Sequence, residues 1–297
     1  MIRKNFLYSA IALTLFFSSC TKNTPEVTPE NRQLMLTAKE QRKVLTDNNV
    51  GLRMMVALSQ KTNEEENLFF SPLSISSALA MLSNGAKGET YQQIRNTLGF
   101  ENLSLSEINA YYKKTMQRLP LLDNNTKINV ANSVWYSAGL AVGPAFLQTS
   151  KDSFSAEVAA LDFEDAHSVD IVNDWVKGKT NQMIPQIIDH IDPSEVMLLI
   201  NAVYFQGVWD TKFDKAKTRK DEFIVSGSKV VAVDMMSIEE SFNVQQTADY
   251  IAIHVPYSNN KFEMVLVKPQ DNSNIATIYK ALASSASPIL EGNLNKA

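Results

Sequence analysis

The run VMLLINAVYFQGVW, residues 196 to 209, limits what the chain can fold into more than any other stretch. It is too short for a membrane helix, which needs about 20 apolar residues. Val196, Ile200, Val203, Tyr204, Phe205, Val208 and Trp209 are β-branched or aromatic, which favours a strand. A strand apolar at nearly every position is covered on both faces, so this one is expected inside a large sheet. Asn201 sits in its middle. A buried amide without a partner costs about 1–3 kcal/mol. Two readings stand: a core amide bonded to a neighbouring loop, or a polar clasp between strands that must later separate.

The surrounding pattern predicts an α+β class, with helices early and strands later. Asp47 to Lys61 carries a helical face, the acidic run Glu64–Glu66 reads as a solvated turn, and Asn67 to Phe70 reads as a short strand. Ser71 and Pro72 open a helix as N-cap and first residue. Its buried stripe is Ile75, Ala78, Leu79 and Leu82, and its serines allow close packing on neighbouring backbone. Thr90 and Gln93 have the spacing of a capping box for the next helix. Helices follow over about 106–119, 144–154 and 169–184. Strands are expected from Ile128 to Tyr136 and over 158–163, 222–225, 230–234, 250–257 and 262–268. The last two form a hairpin through Ser258–Asn260. A helix over 275–283 follows, and no closing strand is expected after Pro288.

The chain start has a different character. Arg3 and Lys4 precede an apolar stretch from Phe6 to Phe17, then Ser18, Ser19 and the single cysteine, Cys20. This reads as a secretory signal. Small residues before a lone cysteine resemble the bacterial lipoprotein box, which implies lipidation at Cys20, export, and membrane tethering. Residues 1–19 are then the signal peptide, 20–45 a flexible tether, and 46–297 the folded domain. A single cysteine leaves no internal disulfide framework.

Several chemistries find no support. A net charge of -4 gives no basic field for nucleic acid. His167, His190 and His254 show no ligand spacing, so no metal is expected. Neither a glycine-rich phosphate loop nor a nucleophile elbow is present, so no cofactor and no enzyme activity are expected.

Several stretches together resemble the serpin family of protease inhibitors. NLFFSPLSISSALAMLSNGAKGET from Asn67, INVANSVWYS from Ile128, VNDWVKGKTNQMI from Val172 and VMLLINAVYFQGVW from Val196 occur in that family's order. Phe213, Thr218, Phe223, Met235-Met236 and Val255-Pro256-Tyr257 extend the likeness, from about residue 46 to about 285. The implied fold is serpin-like, with helices packed around a large central sheet and smaller sheets beside it. The implied function is suicide trapping of serine or cysteine proteases, in which a cleaved reactive loop inserts into the main sheet. Such an insertion adds a strand to the sheet and switches the molecule between two states. The resemblance assigns Asn201, Ser71 and Ser74 to a shutter in the sheet and Trp209 to the breach where insertion begins. It also implies a monomer. The family's hinge, reactive loop and closing strands find no match before Ala297, so the 297-residue chain alone is expected to form no SDS-stable protease adduct. A non-inhibitory binding protein on the same scaffold, or an inactive truncated product, is the alternative reading.

Overall fold

A computed structural model describes residues 33–62, 67–100, 102–226, 229–270, 274–284 and 295–296. Cys20, the signal segment, the start of the tether and the Glu64–Glu66 turn lie outside them.

The first helix, α1 (Ala38–Ser59), begins inside the stretch read as tether. Thr37 and Glu40 form its capping box. Glu40 and Lys43 are buried there. Periodicity could not see this start, because polar contacts hold it. Lys114 donates to both Glu40 oxygens at 2.7 Å, Lys39 pairs with Glu107 at 2.7 Å, and Lys43 pairs with Asp47 within the helix. Burial pushes the Glu40 carboxyl up, but the bonds from Lys114 and Thr37 together hold it below 4.5. A carboxyl depressed in the folded state stabilises above its unfolded value, and that contribution is lost as pH falls through the folded value. Glu40→Gln should therefore cost about 1 kcal/mol near pH 7 in a urea titration. The deficit should shrink below 4.5. An equal deficit at both pH values would remove the carboxylate charge from this account.

Helix α2 (Pro72–Ser83) opens as its Ser-Pro start predicts, with the Ser71 hydroxyl accepting from the Ser74 N–H. The segment before it is not a strand: residues 67–70 form no regular element, and Phe69 is 98% exposed. Helix α3 (Gly88–Leu98) starts before Thr90, with Lys87 as an N-cap that makes no side-chain bond. The expected Thr90–Gln93 box is thus displaced into the helix. Gly99 ends α3 at φ 64°, and an added Cβ would lie 2.1 Å from Thr46 Cγ2. Helix α4 (Leu105–Arg118) opens with a capping box of Ser104 and Glu107.

The remaining elements are β1 (Lys127–Ser137), α5 (Pro144–Phe154), β2 (Glu157–Leu161), α6 (His167–Lys179), β3 (Met197–Gln206), β4 (Arg219–Ser226), β5 (Lys229–Met235), β6 (Asn243–Gln246), β7 (Tyr250–Pro256), β8 (Glu263–Pro269), α7 (Ile275–Ser284) and β9 (Asn295–Lys296). Strands β6 and β9 are too short to leave an alternating signature. Because β9 pairs antiparallel with β6, the expectation of no strand after Pro288 is corrected.

Three sheets form among the described residues: β2-β1-β3, β4-β5 and β8-β7-β6-β9. Both faces of the first are covered, as its apolar strands require. Val134 and Leu199 point into a core built by α1 to α5, around Tyr112, Phe100, Phe154 and Met81. Trp135, Leu198, Ile200 and Ala202 point the other way, onto Val172, Trp175 and Val176 of α6. Helix α6 stops at Lys179, short of the expected 184, because Asn181 and Gln182 turn left-handed at φ 51° and 67°. Strand β3 has its main-chain partner, β1, on one side; within the described residues it is an edge strand and not the interior strand expected.

Candidate functional site

The β1–β3 register sets Asn132 directly opposite Asn201. Both side chains fall on the α2 side of the sheet, in step with Val134 and Leu199. Asn201 Nδ2 donates to Asn132 Oδ1 at 2.7 Å. The Ser77 hydroxyl, from the middle of α2, donates to the same oxygen at 3.3 Å. Asn132 Nδ2 donates to the Phe154 carbonyl, at the end of α5, at 2.7 Å. One amide therefore ties together β1, β3, α2 and α5. Asn132 is 1% exposed and Ser77 is fully buried.

The Asn201 amide bonds across to a neighbouring strand, not to a loop. The partners differ from those the resemblance supplied. Ser71 is engaged as the cap of α2, and Ser74 supplies the N–H that Ser71 receives. Asn201 bonds to Asn132, with Ser77 beneath. Asn132 was legible as a polar residue inside the apolar run INVANSVWYS, the same signal that marked Asn201. Ser77 was one of several serines on α2, and only the packing of α2 against the sheet distinguishes it.

The second oxygen of the pair, Asn201 Oδ1, is buried without a hydrogen-bond partner.

At the end of β3 the chain crosses to the β6–β8 sheet. Trp209 stacks on Tyr257, with centroids 4.4 Å apart and an interplanar angle of 8°. The two residues also form an antiparallel bridge. Phe213 meets Trp209 edge-on at 5.8 Å, and Phe205 meets Tyr257 at 5.0 Å and Phe262 at 5.8 Å. Trp209 thus joins two sheets by packing, just beyond the end of β3. The turn beneath is fastened by Asp123, which accepts from the Asn125 N–H, the Thr126 hydroxyl and Asn259 Nδ2. Burial pushes the Asp123 carboxyl up, but those bonds together hold it below 3.8. Asn259 and Asn260 take left-handed φ of 66° and 53°, which asparagine tolerates.

No group of His, Cys, Asp and Glu suited to a metal occurs among the described residues. Nothing at the clasp is arranged as nucleophile and base.

Comparison with known proteins identifies the family. The family model described as serpin (serine protease inhibitor) matches residues 45–296. Iripin-2 of Ixodes ricinus is 34% identical over 254 residues, covering 82% of this chain and 63% of the relative. Human neuroserpin is 30% identical over 228 residues, covering 73% of this chain and 56% of the relative. The native-state structure of the thermophilic serpin tengpin superposes with a TM-score of 0.77 at 30% identity, covering 88% of this chain and 65% of that one. The chain spans less than two thirds of the length of these proteins. With the model matched across the described body and the α+β architecture shared, the chain belongs to the serpin family.

Proposed function

We propose that the protein inhibits serine or cysteine proteases by suicide trapping and is not itself an enzyme. The reading rests on family membership over residues 45–296. The Asn132–Asn201 pair fits it by adding side-chain bonds to the continuous β1–β3 ladder and tying that ladder to α2 and α5 beneath the sheet. Family membership supplies the reaction: a protease acylated on a reactive loop is trapped as the loop joins the main sheet. In this reading Asn201, with Ser71 and Ser74 on the helix beneath, belongs to the shutter, and Trp209 to the breach. Asn132 and Ser77 join them as the direct partners of Asn201.

The start of the chain fits an exported protein. Residues 1–19 act as a lipoprotein-type signal, Cys20 carries the lipid, and the stretch before Ala38 is the tether. The protein then works as a monomer at the cell envelope or surface, on proteases arriving from outside.

The test uses the full-length protein. It is incubated with trypsin-like, elastase-like and papain-like proteases and analysed on denaturing gels. An SDS-stable adduct of combined mass supports trapping. Binding without an adduct would move the assignment to a binding protein on the serpin scaffold. Cleavage of the protein with neither binding nor adduct would sink both. Labelling with a radioactive or clickable fatty acid, lost in Cys20→Ala, tests the anchor separately.

A further inference from the structure

A single carboxylate links the connection that enters β1 to the turn between β7 and β8. Asp123 lies between α4 and β1 and is 4% exposed. Its Oδ1 accepts from the Asn125 N–H at 3.0 Å and from Asn259 Nδ2 at 2.8 Å, and its Oδ2 accepts from the Thr126 hydroxyl at 2.7 Å. Asn125 and Thr126 are sequence neighbours and shape the connection itself. Asn259 lies 136 residues away. Asn125 adds an exposed link of its own, with Nδ2 donating to the Ser258 hydroxyl at 2.8 Å.

The same turn holds the chain beyond β3. The Ser258 N–H donates to the Val208 carbonyl at 2.8 Å, and the Asp210 N–H donates to the Pro256 carbonyl at 3.1 Å. Between these bonds stand Trp209 and Tyr257, bridged and stacked. The first residue of β1, Lys127, pairs with the last of β3, Gln206. The start of β1 and the end of β3 therefore lie at one end of the sheet, and the turn at 258–260 is fastened to both.

The shape of this turn is local, but its position is not. Asn259 and Asn260 take left-handed φ of 66° and 53°, which asparagine adopts readily without outside help. The rings of Phe205 and Phe262 pack around Tyr257 edge-on, and such contacts have little directional preference along the chain. The Asn259–Asp123 bond is directional and charge-assisted, about twice as strong as one between neutral groups. Asp123 cannot swing away to follow the turn, because doing so would orphan the Thr126 hydroxyl and the Asn125 N–H. The carboxylate is the fixed post, and the turn is the part it locates.

We propose that Asp123 is a positioning residue for the joint at Trp209: through Asn259 it sets where the β7–β8 turn lies, and through that turn the Trp209–Tyr257 stack and the end of β3. A displacement of the connection between α4 and β1 is then passed to the end of β3. The bearing of this coupling on loop insertion rests on the trapping reading above; the coupling itself does not.

The experiment labels the full-length protein with 5-fluorotryptophan and identifies the Trp209 resonance by its loss in Trp209→Phe. Trp135 and Trp175, packed together between α6 and the sheet, serve as internal references. Asn259→Asp sets a second carboxylate against Asp123 and should shift the Trp209 resonance while those of Trp135 and Trp175 keep their places. Combining it with Asp123→Asn exchanges amide and carboxylate, restores the bond, and should return the resonance most of the way. Asn259→Gly removes the side chain without adding charge and keeps the left-handed turn. In that variant the Ser258 and Asp210 amides should exchange their hydrogens about tenfold faster than in wild type. A Trp209 resonance unmoved in Asn259→Asp, with amide exchange unchanged in Asn259→Gly, overturns the proposal. A shift that the combined variant does not reverse overturns it equally, since a purely structural loss at residue 259 would behave so. Failure to form a protease adduct would sink the trapping reading and leave these spectra unaffected.

Discussion

Replacing Asn132 by leucine is expected to lower the unfolding free energy by about 2–4 kcal/mol, several times what the volume change alone predicts. Asn132 receives Asn201 Nδ2 and the Ser77 hydroxyl on one oxygen and donates to the Phe154 carbonyl. Leucine removes all three bonds and leaves a buried hydroxyl, a carbonyl and an amide without partners. Each such group costs about 1–3 kcal/mol when orphaned, with some relieved by side-chain rotation or water. Urea denaturation measures the loss. The double variant Asn132→Leu with Asn201→Leu should recover part of it, because two apolar residues in register satisfy each other. If the two losses simply add, the residues do not act as a pair and the clasp is not one. If the double variant is well folded but its sheet opens more slowly in hydrogen exchange, the amides serve separation and not only cohesion.

Gly207→Val should be nearly as damaging, about 3 kcal/mol, and should change tryptophan emission as well as stability. A Cβ at residue 207 would lie 2.4 Å from Tyr257 Cδ1 and 2.8 Å from Cε1. The ring must move, and Trp209 is stacked on that same ring, 4.4 Å away. The glycine permits β3 to pass against the aromatic group that joins the two sheets. The variant should show a red-shifted emission in the folded state, from a Trp209 more open to water. An unchanged spectrum with lowered stability would mean that the ring yields without disturbing the stack.

Much of this protein was legible from its residues, for identifiable reasons. Helix α5 runs from Pro144 to Phe154, the bounds expected from the sequence. The hairpin of β7 and β8 turns where Ser258, Asn259 and Asn260 interrupt two alternating runs. Errors collected where structure is held by polar contacts. The start of α1 depends on charges donated by α4, which no local pattern contains. The segment 67–70 has strand-forming residues but no neighbour to pair with. Strand β6 exists because β7 offers it an edge.

The candidate site divides along the same line. The sequence by itself determined that a polar residue stands inside a doubly covered strand, because alternation and burial follow from residue type at a period of two. It also determined the family, through the order of several long runs. Only the tertiary structure decided the partner. Asn132 meets Asn201 because of the antiparallel register, and shifting that register by a single residue would send one amide to the opposite face of the sheet. Ser77 rather than Ser71 or Ser74 reaches the pair because helix rotation over the sheet sets which serine points inward. Pairing across strands and packing between layers are long-range choices, and single-chain periodicity carries no information about them.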